Sequence, residues 1–90
     1  MTRENLATAS ERLEAAAQAT GDDDAAERLR DLAGQLESLA ERDRRPDHGR
    51  LARIENALGD LAETVDADTS AEIDAAHDAV VAFRETVDGV

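Results

Sequence analysis

No cysteine, lysine, tryptophan or tyrosine occurs among these 90 residues. Without cysteine there is no disulfide staple, no Cys-based zinc site and no thiol chemistry. Phe83 is the single aromatic residue and Pro46 the single proline. β-branched residues are too sparse to supply a sheet. No apolar run is long enough to span a bilayer. The opening MTRENLATAS lacks the apolar core of a signal peptide. The expectation is a cytoplasmic protein with no membrane partner.

What is present is mostly alanine and acid. Apolar residues make up 41% of the chain, but the large ones are only nine Leu, five Val, two Ile, one Phe and one Met. The core must be thin and aliphatic, with helices drawn close through Ala. Ninety residues favour one domain, 1–90, and a chain this short buries about 60–65% of its unfolded surface. There are 22 acidic residues against ten basic ones, every one of them Arg, for a net charge of -12. Such a chain repels itself in dilute buffer. Molar salt shortens the screening length to about 3 Å and removes most of that repulsion. Abundant acid, no Lys and much Ala look like the proteins of salt-accumulating haloarchaea; a GC-rich organism also favours Arg and Ala.

Four segments repeat their apolar residues at steps of three and four, the period of a helix with one buried stripe. They are Leu6, Ala9, Leu13, Ala16 and Thr20; Ala25, Leu29, Leu32, Leu36 and Leu39; Leu51, Ile54, Leu58, Leu61 and Val65; and Ile73, Ala76, Val80, Phe83 and Val87. Punctuation falls between them. Thr2 can cap the first helix and Gly21 can end it in the left-handed conformation. Asp22, Asp23 and Asp24 suit the start of the second. Pro46 and Asp47 suit the start of the third. Thr69 with Glu72 has capping-box spacing for the fourth. The spacing therefore predicts helices at about 3–20, 23–43, 47–65 and 70–88. Short connections make neighbours antiparallel. The expected fold is an all-α, up-down-up-down four-helix bundle. Its first helix, with the poorest seam, is expected to be the weakest. The first and third stripes align at an offset of 45 and the second and fourth at 44, a pattern that either a duplicated hairpin or any two heptad stripes would give.

Candidate sites are few. Arg42, Arg44, Arg45, Arg50 and Arg53 cluster around DRRPDHGRLARI, as a phosphate-binding surface would require. Glu41, Asp43, Asp47 and Glu55 interleave with them, and a helix C-terminus itself favours positive charge. The pattern reads as a turn, and a nucleic-acid partner is not expected. GDDDAAE lacks the alternating ligands, central Gly and terminal Glu of a calcium loop, so it reads as a helix cap. His48 and His77 are the only histidines; Asp74 and Asp78 flank the second. Metal ligation needs a convergent set that neither histidine has in sequence. Ser10, Ser38 and Ser70 sit in no nucleophile elbow, and neither a P-loop nor a dinucleotide fingerprint occurs. No cofactor, metal or catalytic residue is assigned. On the fourth segment, Val81 lies off the seam beside His77 and Arg84, where an apolar residue can mark a partner or homodimer contact.

PDHGRLARIENAL (46–58), preceded by a helical hairpin and followed by a helix carrying Phe83-Arg84-Glu85, resembles a family of small helical proteins of haloarchaea to which no function is attached. The resemblance covers most of the chain. It implies a salt-adapted cytoplasmic helical protein and singles out Asp47, His48 and Arg50 in the turn. It brings no catalytic residues.

Four stripes and no assembled chemistry point to a non-enzymatic protein-interaction module that binds another protein or itself. Its candidate contact residues are His77, Val81, Arg84, Arg44, Arg45, Asp47, His48 and Arg50. The alternative is a nucleic-acid-associated regulator acting through Arg42–Arg53 or by acidic mimicry of DNA.

Overall fold

The computed structural model describes residues 2–41 and 48–88, and side chains within 4–41 and 48–85. Four helices follow one another: α1 (Thr2–Ala19), α2 (Asp23–Glu41), α3 (His48–Ala62) and α4 (Ala67–Asp88). No strand occurs among the described residues. The helices form an all-α four-helix bundle measuring 40 × 20 × 19 Å. Arg44, Arg45, Asp47 and the expected C-terminal residues of α2 lie outside the described residues.

The predicted stripes make the core. Leu13, Leu29, Leu36, Leu51, Leu58, Ile73 and Val80 are all fully buried. Each such side chain is worth about 1.5–3 kcal/mol of transfer free energy. The described members of the first stripe are Leu6, Ala9, Leu13 and Ala16, none more than 1% exposed, with Thr20 half-buried at the end. Two of these five are only methyl-sized, so α1 contributes little apolar volume of its own. What the stripe does not reveal is the placement of α1. It packs closely against both α2 and α4, while α3 packs against α4. Interaxial distance falls as contact side chains shrink. The alanines that make the α1 seam poor in volume also let two neighbours approach. The α2 and α3 stripes, built of Leu and Ile, join the same core across a wider separation.

Polar atoms seal the α1–α2 contact as well. Ser10, 6% exposed, donates its hydroxyl proton to the Ala33 carbonyl at 2.9 Å. Ala17, Ala26 and Ala33 are buried beside the stripes. Between α1 and α4, Arg12 meets Glu72 at 3.5 Å, with half of the arginine side chain in solvent. Such a pair contributes at most about 1 kcal/mol.

The helix ends differ in detail from the sequence reading. Gly21 is not in the left-handed region. The α1–α2 corner is held instead by side chains. The Thr20 hydroxyl accepts the Asp22 N–H at 3.2 Å. Asp22 Oδ1 accepts the N–H groups of Asp24 and Ala25 at 3.0 and 3.2 Å. Asp22 is thus the N-cap of α2, satisfying two of its orphan donors. α3 stops at Ala62 rather than 65. Thr64 folds back, its N–H and hydroxyl both donating to the Leu61 carbonyl at 3.0 Å. α4 begins at Ala67 rather than 70, because Asp66 is its cap. Asp66 accepts the Thr69 N–H at 3.3 Å and the Thr69 hydroxyl at 2.6 Å. Thr69, read from sequence as the cap, is instead fully buried inside the first turn. Within the chain no close contact requires Gly34 or Gly59: a Cβ added to either would have open space around it.

Candidate functional site

α3 and α4 each carry two chemistry-bearing residues seven positions apart, and therefore on one face two turns apart. On α3 they are His48 and Glu55; on α4 they are His77 and Arg84. The antiparallel pairing brings the four together. Arg84 Nη1 donates to Glu55 Oε2 at 2.5 Å. Arg84 Nε donates to His48 Nδ1 at 3.4 Å. His77 Nε2 stands 3.8 Å from Glu55 Oε1, an ion-pair distance that becomes attractive when the imidazole is protonated. The Glu55 side chain is 16% exposed, Arg84 29% and His77 38%. The cluster thus grades from a shielded carboxylate to a more solvated ring.

Bond directions constrain its chemistry. Guanidinium has donors only. In the Arg84–His48 contact Arg84 Nε is therefore the donor and the His48 Nδ1 lone pair the acceptor. Glu55 lies between a permanent cation and a titratable one, with each oxygen facing one of them. The arrangement joins α3 to α4. Among the described residues no three His, Asp or Glu side chains converge as a metal ion requires.

Three of the candidate residues, His48, His77 and Arg84, are brought together here. Val81 is half-buried on α4, between His77 and Arg84 in sequence. Arg50 is half-buried elsewhere, lining a shallow recess with Arg30, Asp31 and Gln35 of α2. Arg44, Arg45 and Asp47 lie outside the described residues. Glu55 was not among the candidates. Its signal was the seven-residue spacing from His48, matched by the same spacing from His77 to Arg84.

Among the described residues Asp66 is the one carboxyl whose acidity is clearly altered. The Thr69 hydroxyl, then the Thr69 N–H, hold it below the ordinary value of 3.8. Both bonds stabilise the anion. Asp66 serves the α4 cap and takes no part in the α3–α4 cluster.

Among the described residues no helix is long and apolar enough to cross a membrane. No curated protein and no solved structure matches the chain. A model of a family of unknown function, DUF7553, matches residues 1–86. That match takes in all four helices up to the last turn of α4, including the α3–α4 cluster, and the chain therefore belongs to the DUF7553 family.

Proposed function

We propose that the protein is a non-enzymatic, salt-adapted helical interaction module that binds another protein, or a second copy of itself, through a helix face. The observation supporting this reading is the closure of the α3–α4 cluster. Arg84 is committed to Glu55 and His48, and the second Glu55 oxygen faces His77. A general base or nucleophile needs a group left available to substrate; Arg84, Glu55 and His48 are engaged with one another. What remains for recognition is helix surface, with Val81 half-exposed beside the cluster. The excess of acid, with Arg as the only basic residue beside it, supports adaptation to molar salt and a haloarchaeal, cytoplasmic setting.

Light scattering in ~2 M KCl, where the screening length is about 3 Å or less, tests the self-associating form. A dimer that Val81→Glu converts to monomer is expected. A monomer in both proteins removes self-association through α4 and leaves only a different protein as partner.

A further inference from the structure

We infer that the outer groove between α1 and α2 is a docking site for a basic, amphipathic helical segment of a partner protein. The inference rests on the interaction-module reading but uses a different face from the one carrying Val81.

The groove has a volume of about 620 Å³ and a wall that is mostly hydrocarbon. Ala7 of α1 and Ala40 of α2 line it, together with Ser10. The Ser10 hydroxyl is already given to the Ala33 carbonyl, so the floor makes little polar demand on an occupant. The rims are acidic: Glu11 and Glu14 on α1, Glu37 and Glu41 on α2, with Glu4 beyond them on α1. Among the described residues, Glu11, Glu14, Glu37 and Glu41 engage in no ion pair or side-chain hydrogen bond. Among the described residues no basic side chain lines the groove.

These features choose among occupants. A second copy would bring its own net charge of -12 against these carboxylates, and nucleic-acid phosphates would meet the same repulsion. A helix with small apolar residues on one face and Arg or Lys along its flanks satisfies both floor and rims. That is the helix-in-groove mode of recognition. Glu4 to Glu14 spans about 15 Å of helix, so a segment of about three turns covers the site. Arginine suits the rims better than lysine, because its fork can engage a carboxylate through two bonds.

The test uses an 18-residue peptide with an Ala/Leu face and Arg flanks, and a scrambled peptide of the same composition. Fluorescence anisotropy is read at the lowest KCl concentration at which the protein's helical circular dichroism has reached its plateau. Saturable binding of the amphipathic peptide is expected. A Glu11→Gln, Glu14→Gln, Glu37→Gln variant should lose at least tenfold in affinity. A Glu63→Gln, Asp74→Asn, Asp78→Asn variant changes the net charge equally elsewhere and should lose less than twofold. Equal losses in the two variants, equal binding of the scrambled peptide, or no binding to the folded protein overturns the proposal. So does a dimer abolished by Ala7→Glu, which would assign the groove to a second copy. A dimer sensitive to Val81→Glu alongside failed peptide binding would sink the groove and leave the broader reading standing.

Discussion

Arg84 reaches from α4 across to α3 and closes a 2.5 Å ion pair on Glu55. With Glu55 only 16% exposed, water screens this pair less than it screens Arg12–Glu72 on the surface. The pair also carries His48 on its far side, so one arginine holds two residues of α3 that lie two helical turns apart.

A double-mutant cycle measures what that is worth. Arg84→Ala and Glu55→Ala should each destabilise the fold by about 1–2 kcal/mol, with a coupling energy of about 1 kcal/mol for this partly shielded geometry. Chemical denaturation of the four proteins gives the number. Strict additivity would mean that the pair contributes no net stability.

Asp66 sets a pH dependence. Its folded-state pKa is lowered from 3.8 by the two Thr69 bonds, so the unfolded chain binds the proton more readily. Its contribution is therefore fully present above the ordinary carboxylate range and is lost as pH falls through the depressed folded value. Acid also relieves the repulsion among the other carboxylates, so the effect must be read as a difference. The stability gap between the wild type and Asp66→Asn should be constant above about pH 5 and narrow at lower pH. Thr69→Val should move the Asp66 titration, followed by NMR, back towards its ordinary value. A gap that widens with acid contradicts the assignment.

The close approach of α1 to its neighbours depends on small side chains. Ala16 is 0% exposed, and Ala16→Leu should cost about 1–3 kcal/mol by overpacking. Ala15, one residue earlier, is exposed, and Ala15→Leu should stay within about 0.5 kcal/mol of wild type. Equal effects at the two positions would mean that α1 does not sit where its burial pattern places it.

Charge repulsion should make folding depend on salt. Helical circular dichroism is expected to rise between dilute buffer and ~2 M KCl as the screening length contracts. Full cooperative folding in dilute buffer would show that the burial of Leu29, Leu36, Leu58 and Val80 outweighs the net charge of -12 without help.

The sequence was most informative where burial is periodic. Leu36, Leu58 and Val80 fall on their stripes and are 0% exposed, because a heptad step and a buried helix face describe the same geometry. It was least informative where two residues could do one job. Asp66 and Thr69 are both good caps at plausible positions. The choice goes to Asp66, whose carboxylate accepts from both the N–H and the hydroxyl of Thr69. Ser10 is off its stripe and polar; it is buried because the α2 backbone comes close enough to take its proton. Glu55 is one acid among 22, and its seven-residue spacing from His48 acquires meaning only once the register of α3 against α4 is known. The α1–α2 groove is similar: its glutamates read as ordinary surface until two helices set them around a shared apolar floor.

The placement of α1 against α4 also bears on how the chain reaches this state. The α1–α2 and α3–α4 hairpins can each form from residues nearby in sequence. Joining them requires contacts between segments as distant as Arg12 and Glu72, 60 residues apart. Loop-closure entropy must be met before those contacts reward it. Formation of the hairpins should therefore be fast, and the slow step should be the meeting of first helix with last. Alanines there have little surface with which to capture each other early.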